Sequence, residues 1–507
     1  MLCLWISAMV LAQLPQFVNA RNQDVEMLRD LYFKGSISHD ILTQAIALES
    51  IEKGGAVVGG VDAFLSSMSK GQQTAWENVG RAIMGGKSTT VGLIVLGDSI
   101  LHNQETNYAK SFMEGLAAFT NVAFVNMAAG GTSTEASLAV LPSLLQDMAR
   151  NAEENGWPII VVSDHTINDS CEAWAWKSAK RIAVVTESQT RYVLSNHPDF
   201  AMLVVESWFG ECDHPAEATH NVSEGYTRVL AHYGVAHLRY TKIAKDFDLA
   251  WGAGCWPANI STPPCLVHPA SHAFPALAGY VLLQSTFVIS RRLVRLPPMP
   301  PAPPSVAIPE PISEPALLDQ FPVCAVPARA YSARLGGEQT GVRFVRGDWA
   351  FYEDRPGKPG WISMVPNATM EFDIAFGSTP SLAISYLLGY EASFGAVDIR
   401  VKDVHANRLQ DPRTPSLLDA QYWEKHHAFF YARRTDGLRV TTTAVRILRI
   451  SQSRVQNAVD PKWAAGRTNG LIGFGVPPFS TATLVATSRC DGDDSACKFK
   501  ITDVVSC

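Results

Sequence analysis

Val91-Gly92-Leu93-Ile94-Val95-Leu96-Gly97-Asp98-Ser99 is the stretch that decides the fold. Its apolar run has no polar alternation and stops at Gly-Asp-Ser. A strand that is apolar toward both sides must be covered on both faces. That is the mark of a parallel sheet between helices, not of a half-exposed antiparallel one. Reading outward, similar runs recur at Val122–Val125, Ile159–Val162, Ala201–Val205 and Val235–Leu238. Between and after them lie helical patterns at Thr106–Phe119, Ser133–Ala152, Ala173–Leu194, Ala216–Tyr233 and Ala270–Ile289. This alternation predicts an α/β domain over residues 91–296, a parallel sheet with helices on both faces.

The flanks have different characters. Residues 21–90 show apolar residues at three- and four-residue spacing and are expected to form an N-terminal helical extension. From Pro297 to Pro315, nine of nineteen residues are proline. Proline fixes φ and lacks an N–H donor, so 297–315 is expected to be a polyproline-like spacer or a surface strap dividing the chain. Residues 316–507 turn to period-two alternation at Met370, Phe372, Ile374 and Phe376 and at Val397, Ile399 and Val401. Strand-like runs follow at Leu438–Ile450, Phe479–Ser488 and Phe499–Val505. They predict a C-terminal β-sandwich. Most of Trp349, Trp361, Tyr386, Tyr390, Phe394 and Trp423 belong in its core, with one or two left to stack on sugar rings.

A chain of 507 residues is too long for one core. At 47% apolar and 18% charged residues it is neither disordered nor a coiled coil. Net charge is −6 without a basic block, so nucleic acid is not an expected partner. Met1–Ala20 is apolar and ends in small residues at Val18 and Ala20, which fits a signal peptide of residues 1–20 and a secreted chain. Of nine Cys, Cys3 would leave with that segment. Four of the remaining eight precede the Pro-rich stretch and four follow it, which suits disulfides within each half. Asn221, Asn259 and Asn367 begin sequons.

Chemistry in an open parallel sheet gathers at the carboxyl ends of strands. The first strand ends at Gly97-Asp98-Ser99, which puts a serine hydroxyl at a helix N-terminus, where developing negative charge is favoured. The second leads to Asn126-Met127-Ala128-Ala129-Gly130-Gly131, where paired glycines let a backbone N–H approach a ligand. The third leads to Asp164-His165-Thr166-Ile167-Asn168-Asp169, and the Asn168 amide is a possible oxyanion donor. Cys265-Leu266-Val267-His268 precedes the last helix, and His268 is a candidate general base toward Ser99. Each motif alone also matches an ordinary turn.

Taken in order, these blocks resemble the SGNH hydrolase family, the GDSL-type esterases, over about residues 91–290. Gly97-Asp98-Ser99 is similar to its Ser block and Asn126–Gly131 to its Gly block. Thr166-Ile167-Asn168-Asp169 is similar to the Gly-x-Asn-Asp block, with Thr166 in place of Gly. Cys265–His268 is similar to the Asp-x-x-His block, with Cys265 in place of Asp. The resemblance implies a three-layer α/β/α fold. It also implies Ser99 as nucleophile, His268 as base, and an oxyanion hole from the Ser99 and Gly131 N–H groups and the Asn168 amide. No cofactor or metal is implied. The implied reaction is hydrolysis or transfer of an acyl ester, acetyl by family habit, on extracellular polysaccharide or a small ester. Without the usual Asp, a backbone carbonyl or Asp213 would have to orient His268. The rival reading is an inactive SGNH-like glycan-binding or surface protein.

Three other signals are set aside. Gly80–Ser88 looks like a phosphate loop but has the wrong spacing and precedes a strand, so no nucleotide is expected. His214 and His220 lie on either side of Glu217, but the reverse Glu-x-x-His spacing lacks a third clear metal ligand, so these read as surface loop and helix residues. Asp491-Gly492-Asp493-Asp494 lacks the spaced ligands of a calcium loop.

Overall fold

The computed structural model describes residues 68–102, 107–129, 132–169, 179–207, 216–240, 274–295, 308–318, 329–353, 359–376, 382–388, 396–403, 425–427, 444–450, 480–489 and 498–506. The expected signal peptide, every Cys, Asn259, Gly131, Asp213, His268 and the acidic turn at 491–494 lie outside them. The chain divides into two compact units. One takes residues up to Ala128 and Asp147–Ile312; the other takes Ala129–Gln146 and Ser313 onward.

In the first unit the apolar runs are strands. They are β1 (Thr90–Gly97), β2 (Asn121–Asn126), β3 (Ile159–Asp164), β4 (Phe200–Val205) and β5 (Ala236–Leu238). They pair in parallel in the order β2-β1-β3-β4-β5. The helices are α1 (Lys70–Met84), α2 (Ser99–His102), α3 (Tyr108–Ala117), α4 (Thr134–Asn155, which belongs to this unit only from Asp147 on), α5 (Ala179–Asn196), α6 (Ala216–Tyr233) and α7 (Phe274–Arg295). The α/β expectation holds, and every residue of β3 and β4 is buried.

Side-chain alternation sorts the helices onto two faces. Val91, Leu93 and Val95 point to the face where α1, α3 and α7 pack, in one cluster with Trp76, Phe112 and Leu282. Ser163 points the other way and donates to Gln189 of α5 at 3.3 Å. Right-handed crossovers explain the split, because the step from β1 to β2 runs opposite to every later step. On the first face the helices nearly touch. A Cβ at Gly80 would lie 2.9 Å from Ser290 Cβ, and one at Gly279 would lie 2.8 Å from the Tyr108 carbonyl.

Helix α1, from the segment read as an extension, is part of this core, with Trp76 and Val79 fully buried. Ser69 caps it, accepting from the Gln72 amide. Gln72 also completes the sheet. Strand β5 pairs only with Leu203–Val205, so the first half of β4 has no strand on that side. The Gln72 side chain fills the gap. Its Nε2 donates to the Phe200 carbonyl at 2.8 Å, and its Oε1 accepts from the Met202 amide at 2.9 Å. That is the bonding of a parallel-strand residue opposite Ala201. Gly86–Ser88, within the phosphate-loop lookalike, is a 3₁₀ turn before β1. Lys87 there donates to the Thr120 carbonyl at 3.2 Å.

The Pro-rich stretch ends as a strap on this unit. Arg191 of α5 donates to the Pro309 carbonyl at 2.7 Å, and the Ile312 amide donates to Glu187 at 2.8 Å. His232 of α6 lies 2.8 Å from the Glu310 carbonyl.

The second unit holds two antiparallel sheets. One has the order β13-β12-β15-β10-β7, from Lys425–His427, Ala396–Asp403, Ser480–Arg489, Thr369–Phe376 and Val342–Arg346. The other has the order β14-β11-β16-β9-β8, from Ala444–Ile450, Leu382–Leu388, Phe499–Ser506, Pro359–Ser363 and Ala350–Glu353. Strand β6 (Arg329–Ser332) also pairs with β16. Met370, Phe372 and Ile374 of the first sheet share a core with Trp361, Tyr386 and Phe499 of the second. Trp361 meets Phe372 edge-on at 5.3 Å. Trp349 is buried too, so these aromatics pack the core as expected. Asn367 of the third sequon is exposed at φ 60°. Among the described residues no helix is long and apolar enough to cross a membrane.

Gln72→Ala leaves one buried donor and one buried acceptor of β4 without partners. Urea unfolding should then show a stability loss of roughly 2–4 kcal/mol at unchanged m-value.

Candidate active site

The order β2-β1-β3 makes the carboxyl ends of β1 and β3 the point where the chain switches direction across the sheet. Clefts that take ligands form outside such points. Gly97 sits opposite Asp164 in the parallel register. A Cβ at Gly97 would lie 2.7 Å from the Asp164 carbonyl oxygen and 2.4 Å from Leu101 Cδ1, so only glycine fits there. The Asp98 amide then donates to that carbonyl at 3.2 Å.

From this point the chain turns sharply. Asp98 Oδ1 accepts from the Ile100 amide at 2.9 Å, and the His102 amide donates to the Asp98 carbonyl at 3.0 Å. Asp98 thus caps α2 with its own side chain, and Ser99 is the first residue of that helical turn. Ser99 is half-buried, while Asp98 and Ile100 on either side are buried.

Asn168 lies in the helical turn at 166–169 that follows β3. It is 8% exposed. Its backbone amide hydrogen-bonds the Asp98 carboxyl, favouring the ionised form. The structure therefore brings the Ser99 turn and the Asn168 turn together. The end of β2 is tied to the same place. Asn126 Nδ2 donates to the Leu101 carbonyl at 3.0 Å, and its Oδ1 accepts from the Ala128 amide at 3.0 Å. Gly131 and His268 lie outside the described residues, as does Cys265.

Beneath these turns lies a group of carboxyls whose partners the sequence motifs did not reveal. Asp164 is 1% exposed and surrounded by donors. Tyr108 of α3 donates to its Oδ2 at 2.8 Å, and Ser207, just past β4, donates to the same oxygen. The Thr166 amide reaches Oδ1 at 3.1 Å, and the Thr166 hydroxyl lies 2.7 Å from it. Thr166 thus ties the turn after β3 to the Asp164 carboxyl through both its amide and its hydroxyl. Asp169 is also buried and accepts from Tyr226.

Burial pushes the Asp98 carboxyl well above the usual carboxylate range, and the charges of Asp164 and Asp169 push it further. Burial raises Asp164 as well, opposed by the hydrogen bonds from Ser207, Thr166 and Tyr108. The Tyr108 phenol is raised by burial and by the Asp164 charge beside it.

Two further features were missed. His102, three residues after Ser99 on the same turn, holds Nδ1 3.1 Å from the Ala128 carbonyl. At the ends of β4 and β5, fully buried Glu206 accepts from Ser223 at 2.8 Å and lies 2.6 Å from His237 Nε2. Arg239 Nε is 3.4 Å from Glu206 Oε1. A polar residue closing an otherwise apolar strand was the available signal for Asp164 and Glu206. Nothing local marked Tyr108 or Ser207.

No protein-family model and no curated protein matches the chain. Among solved structures it is similar to a two-domain esterase active on acetylated mannans, co-crystallized with mannopentaose. That likeness has 14% identity and a TM-score of 0.46 over 86% of this chain and 99% of that one. It is also similar to an acetyl xylan esterase, at 15% identity and TM-score 0.29, over 38% of this chain and 99% of that one. A psychrotrophic esterase from Pseudoalteromonas sp. matches at 13% identity and TM-score 0.28, over 40% and 97%. At such scores the chemistry has to be read from the site itself.

Tyr108→Phe removes a donor to a buried carboxylate while keeping the ring. Denaturant unfolding should show a loss of roughly 1.5–3 kcal/mol, the range for hydrogen bonds to charged groups.

Proposed function

We propose that this chain is a secreted serine esterase of the SGNH type, acting on acyl esters of polysaccharide. The observation that carries the reading is the meeting of the Ser99 and Asn168 turns at the switch point of a parallel sheet. A nucleophile and an oxyanion donor are needed at one carbonyl, and two adjacent strand ends supply one each.

In this reading Ser99 Oγ attacks the ester carbonyl carbon and loses its proton to His268. The carbonyl oxygen takes up the negative charge, facing the Asn168 amide and the backbone N–H groups of Ser99 and Gly131. The C–O bond to the alcohol then breaks, and His268 returns the proton to the departing oxygen. The acyl-serine is released to water, or to another hydroxyl in a transferase, by the same steps reversed. His268 is oriented by a group other than the Asp that Cys265 replaces. The acetyl group and the polysaccharide come from the family resemblance, and the β-rich unit, read as a sandwich with a glycan-binding role, suits such a substrate.

The test is labelling with a fluorophosphonate probe together with hydrolysis of p-nitrophenyl acetate. Both should be present in the wild type and absent in Ser99→Ala. Asn168→Ala should keep the fold and lower kcat by about 10²–10³, the loss seen on removing one oxyanion donor. Equal background rates in wild type and Ser99→Ala would overturn the reading in favour of a non-catalytic glycan-binding protein.

A further inference from the structure

Asp98 and Asp164 are two buried carboxyls joined through their backbones, and the mechanism above uses neither. Their surroundings differ in kind. Both oxygens of Asp164 accept, and the groups around them are donors: the Tyr108 and Ser207 hydroxyls, the Thr166 amide and the Thr166 hydroxyl. An ionised carboxylate, which only accepts, suits that set. The Asp98 carboxyl accepts the backbone amides of Ile100, on Oδ1, and of Asn168, but has no hydroxyl donor such as Asp164 has, and among the described residues its buried Oδ2 has no hydrogen bond. A bare anionic oxygen in the interior costs far more than a neutral carboxyl in the same place.

We propose that Asp98 and Asp164 share a single negative charge, carried by Asp164, and that neutral Asp98 is a positioning residue holding the Ser99 turn against the Asn168 turn. The placement is specific. Asp98 precedes Ser99, caps α2, donates its amide to the Asp164 carbonyl, and receives the backbone amide of Asn168. The titratable groups facing it are Asp164 on β3, Asp169 on the turn at 166–169, and Tyr108 on α3. Two are carboxyls and one is a phenol, so ionising Asp98 adds a further like charge to a dry space. That repulsion acts between the two turns that the proposed reaction needs together, and in this the inference rests on the esterase reading.

The sign of the pH effect follows. In the folded chain Asp98 keeps its proton to a higher pH than in the unfolded chain. The folded state therefore binds more protons in that window. Its stability falls as pH rises from the unfolded carboxylate value near about 4 through the folded value. Asp98→Asn keeps the shape and the Oδ1 acceptor but cannot ionise, so it lacks that fall.

The experiment compares the full-length wild type, D98N and D98A in thermal unfolding and in fluorophosphonate labelling from about pH 5 to pH 9. The wild-type Tm should decline with pH along a slope that D98N lacks. Labelling of the wild type should weaken on the alkaline side, whereas D98N stays near its neutral rate. D98A, which loses the cap, should label about 100-fold more slowly at every pH, the scale of a displaced nucleophile. Parallel Tm curves for wild type and D98N would overturn the shared charge. D98N as slow as D98A at neutral pH would overturn the positioning role. Absence of labelling in the wild type sinks the esterase reading instead, and the Tm curves still decide the charge.

Discussion

The constraint on which the candidate site turns is the approach of the β1 end to the β3 end. Gly97 lies so near the Asp164 carbonyl that no Cβ fits, and the next amide bonds that same carbonyl. Parallel pairing brings the two strands to this point in register, and the missing side chain lets the turn begin there. Ser99 could not follow a wider approach without leaving the Asn168 turn. The site thus depends on a backbone contact, and the side chains around it hold that contact in place.

Much of this was legible in the chain. Uninterrupted apolar runs mark strands, and all five of the first unit lie where such runs stand; β1, β3 and β4 are buried almost throughout, whereas the edge strand β2 is only partly buried. The motif residues at strand ends were legible for the same reason, since a polar residue after an apolar run must lie where the sheet ends. What escaped notice is what depends on distant partners. Tyr108 is 56 residues from Asp164, and Ser207 is 43. Neither has a spacing that points to a carboxylate. Gln72 serves β4 across 128 residues. Its helix reads as ordinary amphipathic sequence, and nothing in that spacing points to the strand it completes.

In the second unit the same rule applies with the opposite outcome for short strands. Thr369–Phe376 alternates cleanly because one face meets the core, where Met370, Phe372 and Ile374 are buried. Strand β7 packs only Val342 against the core and is exposed along Arg343–Arg346, where Phe344 and Val345 face solvent, so its apolar residues do not mark a buried face. Its place is set by pairing with β10, and Arg343 reaches Asp373 at 2.7 Å and Glu371 at 3.3 Å. Edge strands of this kind are defined by their neighbour's hydrogen bonds and by charge, which discourages further pairing.

The proposed reaction needs a site that welcomes negative charge, yet three carboxyls lie under the Ser99 and Asn168 turns. At an effective dielectric near 20, a unit charge about 4 Å away costs about 4 kcal/mol, enough to cancel an oxyanion donor. The fold answers each carboxyl separately. Asp164 has its charge spread over hydroxyl and amide donors, including the amide and hydroxyl of Thr166. Asp169 receives Tyr226. Asp98, with one oxygen unbonded and two acidic neighbours, is the one whose charge the site can least accommodate. A neutral Asp98 leaves the helical turn of Ser99 and the Asn168 amide facing a carbonyl oxygen with far less opposing charge behind them. Thr166 then supports the site, because it supplies donors to the carboxylate that keeps its charge.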